Sequence, residues 1–388
     1  MLQKYHSKVE IILTCIAVEG FLLYGMLSTV CEDTWQSTGV WWNYFLLGIY
    51  SIMAVKVILQ KNNWIDWCMV ISLAGLAEIS RITTQTNVVV WFVAGLLLIK
   101  DIDLDKVLKV DLVTRICLGC ALIALPLVGL YPDHTDQMIG GRLRSSFGWS
   151  HPNEMGLFFL ILCILWFYIR YEKWNWKDMV AMIGAVLAVD HFANSRTSEI
   201  CVVLLVGLSV LVCISRKYRW NMKKRCRTWG IAAASTLIVG CVGMLSLMTM
   251  VYSLSGWFQR FPYTVSSRLL LANRFWVDKG FTLFGQIFDN GTYGYLDIMY
   301  AHLGLNYGVI ILLLFIGLNL FAIWQAYKDK NEKFLIILLI FITYSLLEHE
   351  HFKMLSGFYP VLLGYYVWPW LDSCRVRVEQ RWNRRNGK

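Results

Sequence analysis

Five arginines beside apolar segments are the residues of this chain best suited to bind an anion. They are Arg142, Arg144, Arg196, Arg268 and Arg274. A guanidinium group is planar, stays charged when partly dehydrated and can grip a phosphate or carboxylate through two parallel hydrogen bonds. A cation at membrane depth costs roughly 2.5–3.5 kcal/mol unless it faces a cavity or a partner. We therefore expect these arginines to share one anionic ligand, such as a lipid phosphate or pyrophosphate.

The first two arginines belong to a polar segment, 140–154, with the sequence GGRLRSSFGWSHPNE. Pro152 and Asn153 are typical of a helix start, with either Asn153 as the N-cap or Pro152 in the first turn. A helix N-terminus presents free N–H groups and a partial positive charge to an anion. His151 and Asn153 are therefore candidate supporting residues, and the alternative is an ordinary capped turn.

The other three arginines lie in a short turn and in a long loop. Arg196 follows Ser195, which is a third candidate supporting residue and also a plain capping serine. Arg268 and Arg274 are six residues apart, so they do not share a helical face but could flank a ligand. Aromatic residues crowd the same loop and indicate either a membrane-interface belt or a surface for stacking sugars. For a single arginine, the simpler alternative is a side chain that reaches lipid headgroups.

A side chain that accepts a proton during catalysis is typically a carboxylate or an imidazole, and it must lie within hydrogen-bond distance of the group that loses the proton. Asp297 is the first candidate for this catalytic role, followed by Glu350 and His302. Further candidate acceptors are Asp190, Asp289 and Glu348. The run Glu-His-Glu-His at 348–351 is a poor metal site, because residues two apart diverge on a helix. We expect no metal there.

Membrane helices must position these side chains. Hydrophobic residues make up 57% of the 388 residues and charged residues only 16%, against about 25% charged in an average soluble domain. About 20 apolar residues cross about 30 Å of hydrocarbon. On that length, the apolar segments run roughly 9–28, 41–59, 64–80, 84–99, 112–130, 154–170, 178–193, 198–215, 228–251, 298–324, 333–348 and 356–372. The sequence thus predicts an all-α, polytopic integral membrane protein with about 12 transmembrane helices in a single transmembrane domain, 1–388.

The basic residues predict how these helices are oriented. The net charge is +10, and three quarters of the 36 Lys and Arg residues fall on one side when both termini are cytoplasmic. The positive-inside rule supports that orientation. The basic loop 216–227 and the basic tail 373–388 then adjoin anionic lipid, and we expect no nucleic-acid binding. The outer side carries the loop 131–153 and, between predicted helices nine and ten, the large loop 252–297.

Cysteines and the first apolar run add two expectations. Most of the eleven cysteines lie within apolar segments, where they behave as small hydrophobic residues. We expect neither a disulfide framework nor a structural metal. The apolar run 11–27 is followed by a second membrane segment rather than by a small-residue cleavage site, so we expect no cleaved signal.

Several motifs resemble those of the O-antigen polymerase and ligase superfamily. R-x-x-x-S-F-G-W-S-H-P-N occupies 142–153, S-R-T occupies 195–197, and S-S-R at 266–268 lies in the long outer loop. L-D-I-M-Y at 296–300, with glycines at 304 and 308, completes the pattern. The ordered motifs and the helix number cover most of the chain. They are most similar to the Wzy-type polysaccharide polymerases.

The resemblance implies a glycosyltransferase of the bacterial plasma (inner) membrane. Such enzymes polymerise undecaprenyl-pyrophosphate-linked oligosaccharide repeat units into capsule, exopolysaccharide or O-antigen on the outer face, and the resemblance implies no cofactor, metal or nucleotide sugar. The family's arginines, expected to hold the pyrophosphate, match Arg142 (or Arg144), Arg196 and Arg268, with Arg274 in support. Preorganised guanidinium groups would stabilise the charge that develops on the leaving pyrophosphate. Implied partners are the lipid-linked donor and acceptor, membrane lipids, and flippase and chain-length regulator proteins.

Other classes stay open on the sequence. A ligase, which transfers the lipid-linked glycan to another acceptor, shares the arginines. Ligases tend to carry His-Asn where this chain has Asp297-Ile298, so the departure favours a polymerase and leaves the general base open. A lipid-linked oligosaccharide flippase or other transporter would place its unusual residues at mid-membrane depth, whereas here they gather at one face. A non-catalytic scaffold predicts no loss of polymer when the arginines are replaced.

Overall fold

Helices form from the apolar segments because a helix satisfies all of its backbone hydrogen bonds internally. The computed structural model describes residues 2–30, 39–130, 133, 135–137, 143–149, 151–217, 224–251, 263–293, 296–346, 348–349, 352 and 358–385. The first helices are α1 (Leu2–Val30), α2 (Gly39–Leu59), α3 (Trp64–Thr84), α4 (Val88–Leu98), α5 (Leu104–Leu127), α6 (Pro152–Arg170), α7 (Trp176–Phe192) and α8 (Arg196–Lys217). The later ones are α9 (Lys224–Val251), α10 (Tyr263–Lys279), α11 (Asn290–Tyr293), α12 (Met299–His302), α13 (Val309–Lys328), α14 (Glu332–Tyr344) and α15 (Tyr359–Arg385). Each of the twelve predicted segments falls on one or more of these helices.

Six helices of the described chain are long and apolar enough to cross a membrane. Their candidate spans are Lys8–Leu27, Trp41–Leu59, Leu104–Leu127, Pro152–Lys173, Arg196–Arg216 and Val309–Lys328. Large apolar side chains are exposed on these helices, such as Ile58 on α2 and Leu313 on α13, as expected where lipid takes the place of water. The chain is therefore an all-α, membrane-embedded protein. The number of about twelve spans stays a prediction.

The polar loop 131–153 contains a short hairpin that the hydrophobic pattern does not indicate. Strand β1 (Thr135–Gln137) pairs antiparallel with strand β2 (Leu143–Ser145), and Asp136 stands opposite Arg144. Each strand has three residues, which is too short to show a period of two in the sequence.

The large loop 252–297 contains the helix α10. Leu269, Ala272 and Phe275 recur at the three-residue spacing of one helix face, and they bury that face against Leu296 and Ile298. Polar and charged residues interrupt the rest of the helix, so the segment lacks the length of continuous apolar sequence that predicts a membrane helix.

The predicted helix over 298–324 is broken at Gly308. This glycine has a φ of 93°, and a Cβ there would lie 2.5 Å from the Leu283 carbonyl oxygen. The residue that opens α13, Val309, donates its backbone N–H to the Thr282 carbonyl at 2.9 Å. The irregular segment that contains Thr282 and Leu283 thus crosses the break, and it accepts a hydrogen bond that a continuous helix would have made internally.

The helices form two compact units: residues 1–78, 88–114 and 352–388 form the first, and residues 79–87 and 115–351 form the second. In the first unit α4 is buried along nearly its whole length, because it is apolar on every side. At Gly364 of α15 a Cβ would lie 2.6 Å from the Leu96 carbonyl of α4. Trp368 donates its indole N–H to the same oxygen at 2.8 Å. A glycine and a tryptophan thereby hold α15 close to α4.

Two lysines of the first unit are buried, and both have acceptors. Lys56 and Lys100 are 0% and 2% exposed. Lys100 Nζ lies 2.6 Å from Asp66 Oδ2 and 2.8 Å from Asn62 Oδ1. Lys56 Nζ donates to Gln60 Oε1 at 2.5 Å and to backbone carbonyls at residues 97 and 100. Dehydrating an ammonium costs several kcal/mol, so buried lysines require such partners.

The basic loop 216–227 is shorter than predicted, because α8 ends at Lys217 and α9 begins at Lys224. Arg227 lies on α9, where its guanidinium pairs with the Glu332 carboxylate, with Nη2 2.6 Å from Oε2. Burial works to lower the pKa of Arg227, but the hydrogen bond and charge of Glu332 outweigh it and raise the pKa above its ordinary value. This arginine is therefore an internal partner of a carboxylate rather than a contact for lipid.

Candidate functional site

A tight turn made by the Ser-Phe-Gly-Trp motif fixes the strand that carries Arg144. Ser146 donates its hydroxyl to the Trp149 carbonyl at 2.7 Å, and Trp149 N–H donates back to the Ser146 carbonyl at 2.9 Å. Trp149 is buried against Phe158 of α6, with ring centroids 5.1 Å apart. At Gly148 a Cβ would lie 2.7 Å from a backbone oxygen of α5. The turn is therefore held between α5 and α6.

The start of α6 places Asn153 beside this strand. His151 is the N-cap, with its Nδ1 accepting the Asn153 N–H at 3.1 Å, and Pro152 opens the first turn. Of the two helix starts that the sequence allows, the one with Pro152 in the first turn is present. The Asn153 side chain accepts from Arg144 Nη2 at 2.8 Å and donates to Glu348 Oε1 at 3.4 Å. Asn153 thus joins Arg144 to Glu348.

Arg268 of α10 lies between two carboxylates. Its Nε is 3.0 Å from Asp297 Oδ2, and its Nη2 is 3.1 Å from Glu348 Oε1. The side chains of Arg268 and Asp297 are 20% and 30% exposed, whereas that of Glu348 is only 7% exposed. Glu348 follows the last turn of α14, where its backbone N–H donates to the Tyr344 carbonyl at 3.0 Å.

Five side chains are thereby joined, and we call them the arginine–carboxylate network: Arg144, Asn153, Glu348, Arg268 and Asp297. They come from β2, α6, α10 and the segments that precede α12 and follow α14. Two guanidinium groups and two carboxylates balance one another. Because the site is only partly hydrated, these charges interact more strongly than they would in water. Such a network can bind an oxyanion through the arginines and accept a proton on a carboxylate.

The turn at 193–197 adjoins the network through its backbone. Arg144 Nε donates to the Ala193 carbonyl at 2.8 Å. Ser195 is buried, with its hydroxyl 3.2 Å from that of Ser198, and a Cβ on Gly156 would overlap the Ser195 side chain. Gly156 thus allows α6 to lie directly against this turn. The Ser-Arg-Thr motif at 195–197 therefore lies against the motif at 142–153.

Two other predicted arginines are not among the five joined side chains. Arg196 opens α8 and is exposed, and Arg274 is exposed on α10, nearly two turns after Arg268. Arg142 and Glu350 lie outside the described residues. Of the five arginines predicted from the sequence, Arg144 and Arg268 belong to the network.

The remaining candidate acceptors differ in their surroundings. His302 is buried, and its imidazole lies against that of His349, with ring centroids 4.2 Å apart and ring planes tilted by 33°. Asp289 accepts a hydrogen bond from the Thr292 hydroxyl at 2.5 Å, and Asp190 lies near the end of α7. Within the described ranges, no three or more His, Cys, Asp or Glu side chains group so as to hold a metal ion.

Glu348 is the member of the network that the sequence offers only as one of several candidate proton acceptors. Its neighbours in the chain give no sign that it rather than Glu350 meets Arg268 and Asn153. The available signal was a carboxylate at the end of an apolar helix, where an unpaired charge is costly. Its partners lie 80 and 195 residues away, so only the packed structure identifies them.

Comparison with protein-family models, with curated proteins and with solved structures gave no match for this chain. The fold and the site define a class of protein, an all-α membrane-embedded protein with a partly buried arginine–carboxylate network. The arginine–carboxylate network determines which chemistry this protein can perform.

Proposed function

We propose that this protein is a membrane glycosyltransferase that polymerises undecaprenyl-pyrophosphate-linked oligosaccharide repeat units into a surface polysaccharide. It would act in the bacterial plasma membrane, with both termini cytoplasmic and the network on the outer face. The observation that carries the proposal is the joining of Arg144 and Arg268 through Asn153 and Glu348. Arg144, Asn153 and Arg268 come from motifs that resemble the O-antigen polymerase and ligase superfamily, whereas Glu348 lies outside these motifs, 195 residues after Asn153 in the chain.

The balance of charge in the network suits a site that is alternately empty and occupied. Without substrate, the carboxylates of Glu348 and Asp297 balance the guanidinium groups of Arg144 and Arg268, so the network as a whole carries no net charge. When the lipid pyrophosphate enters, Arg268 exchanges a carboxylate oxygen for a phosphate oxygen, because a guanidinium group binds either oxyanion with similar geometry. Arg144, already oriented by the Ala193 carbonyl and Asn153, supplies the second cation. Guanidinium groups fixed in advance stabilise the charge that develops on the leaving group.

Asp297 is the carboxylate best placed to accept the proton of the acceptor sugar. It is the more exposed of the two, at 30% against 7% for Glu348. In the proposed step the acceptor oxygen bonds to the anomeric carbon of the donor and gives its proton to Asp297. The bond from that carbon to the pyrophosphate breaks, and the pyrophosphate keeps the electron pair. Glu348 acts as a positioning residue for Arg268 and Asn153, and His302 is the alternative proton acceptor.

Reconstitution tests the proposal. Purified protein in liposomes is mixed with lipid-linked repeat units, and a ladder of longer products is sought on a gel. A lost general base costs about 10²–10⁴-fold in rate, so Asp297→Asn should reduce ladder formation by at least 100-fold. Arg268→Lys should also reduce it, since lysine lacks the planar fork. Asp278→Asn is the matched control, because Asp278 lies on the same helix as Arg268 and is exposed.

Each alternative class predicts a different result in the same assay. A ladder that survives both Asp297→Asn and Arg268→Lys undiminished would contradict the proposed roles. Movement of the lipid-linked substrate across the bilayer without elongation would identify a flippase. Transfer of the glycan only to a different, added acceptor would identify a ligase.

A further inference from the structure

An apolar groove lies between α9 and α13 in the second unit. It encloses about 560 Å³ and is lined by residues of these two helices alone. Three small residues of α9, Ala232, Ala233 and Thr236, contribute to the lining, and their size leaves space that larger side chains would fill. Along α9 the lining extends from Trp229 to Leu237, a length of about 12 Å at 1.5 Å per residue.

One end of this groove is aromatic and basic. Trp229 and Trp324 both line it and are 63% and 50% exposed. Lys328, the last residue of α13, holds its Nζ 5.2 Å from the Trp324 ring centroid. Lys328 and Lys330 are exposed, and Asp329 is the one acidic residue between them. Tryptophan beside lysine is typical of the level of lipid headgroups.

We propose that the groove is a binding site for an anionic phospholipid. One acyl chain lies along the groove, and the headgroup phosphate is bound at the end marked by Trp324 and Lys328. The apolar lining accounts for the chain, since α13 is a candidate membrane span. The cations account for the charge of the headgroup, because each Lys or Arg near a membrane surface attracts anionic lipid. The site is separate from the arginine–carboxylate network and does not depend on the proposed function.

The dimensions of the groove favour a lipid over a helix from another protein. A transmembrane helix packs along much of its length of about 30 Å, whereas the groove runs for about 12 Å along α9. Two exposed tryptophans, Trp229 and Trp324, line the groove, where a helix backbone would have to approach closely. A flexible acyl chain can occupy a groove of this length, and it requires no close approach of a helix backbone.

Native mass spectrometry of the detergent-purified full chain tests this site with two probes. Phosphatidylglycerol and phosphatidylcholine with identical acyl chains differ in headgroup charge alone. We expect the chain to retain phosphatidylglycerol in preference. Lys328→Gln should weaken phosphatidylglycerol binding about fivefold, the equivalent of about 1 kcal/mol for one cation at a membrane surface. The same variant should leave phosphatidylcholine binding unchanged.

A second pair of variants examines the groove itself. Ala233→Trp places a large side chain at an exposed position of the lining and should abolish retention of phosphatidylglycerol. Leu211→Trp is the matched control, because Leu211 is 54% exposed on α8 and does not line the groove. Both variants should elute as the unaltered protein does in size-exclusion chromatography. Equal retention of the two lipids, or retention insensitive to Lys328→Gln and Ala233→Trp, would overturn the proposal. A co-purifying polypeptide released by Ala233→Trp would also overturn it, in favour of a helix partner.

Discussion

Removal of the Glu348 side chain should destabilise the protein by an amount that the contacts of this residue allow us to estimate. Its Oε1 accepts from Arg268 Nη2 at 3.1 Å and from Asn153 Nδ2 at 3.4 Å. In Glu348→Ala both donors lose this acceptor. A hydrogen bond to a charged group contributes about 1.5–3 kcal/mol, and breaking a fully buried ion pair costs about 3–5 kcal/mol. Arg268 is 20% exposed and keeps Asp297 as a partner, so we expect a loss of about 2 kcal/mol.

A loss of this size is measurable as a change in melting temperature. For a domain of 150–250 residues, 2 kcal/mol corresponds to a decrease of roughly 4–8 °C. Thermal unfolding of the purified protein, followed by the decay of its monodisperse size-exclusion peak, provides the measurement. Glu348→Gln keeps an acceptor oxygen but removes the charge, so it should lose about half as much stability as Glu348→Ala.

A double-mutant cycle separates the interaction of Glu348 with Arg268 from any other effect of the substitutions. Arg268→Met removes the charge and keeps most of the length of the side chain. If Glu348 and Arg268 interact as described, the double variant is less destabilised than the sum of the single variants by more than about 0.5 kcal/mol. Additivity within that margin would refute the ion pair and with it the arginine–carboxylate network.

Two glycines offer further predictions, each with a matched control. Gly308→Ala should lower the melting temperature by several degrees, because a φ of 93° strains any residue with a Cβ and a backbone oxygen lies 2.5 Å from the new atom. Gly317→Ala, at an open position of α13, should leave stability unchanged or slightly raised, and equal melting temperatures for the two variants would contradict the described break. Gly156→Ala should displace the turn around Ser195 and reduce polymer yield in the reconstituted assay, whereas Gly207→Ala, with open space around it, should leave the yield unchanged. Full yield from Gly156→Ala would show that this close approach does not support the site.

The hydrophobic segments predicted the positions of the long helices well, because an apolar helix needs no distant partner to satisfy its backbone. A continuous apolar segment does not predict a helix that is amphipathic. Within α10, Arg268, Asn273 and Lys279 interrupt the apolar residues, so the segment was predicted as loop. The break at Gly308 was missed for a related reason. It depends on an irregular segment around Thr282 and Leu283 that crosses the helix at this point, and a hydropathy pattern contains no information about such a crossing.

The sequence predicts the arginines of the candidate site, but it does not predict the residues with which they pair. Arg144 and Arg268 were identifiable because a charged residue beside an apolar segment requires an explanation. Their link through Asn153 and Glu348 depends on contacts between segments far apart in the chain. The predicted role of Arg196 stays a prediction, since this side chain is exposed at the start of α8.

The buried lysines of the first unit affect the order in which helices of the nascent chain can insert into the bilayer. The backbone acceptors of Lys56 lie 41 and 44 residues later in the chain. At about 5–20 residues per second of synthesis, these two acceptors are made several seconds after Lys56, whereas its third acceptor, Gln60, follows after four residues. The ammonium of Lys56 must therefore wait several seconds for these acceptors, at an interface or in the insertion machinery. Lys56 therefore obtains its full set of acceptors only after α4 has been synthesised.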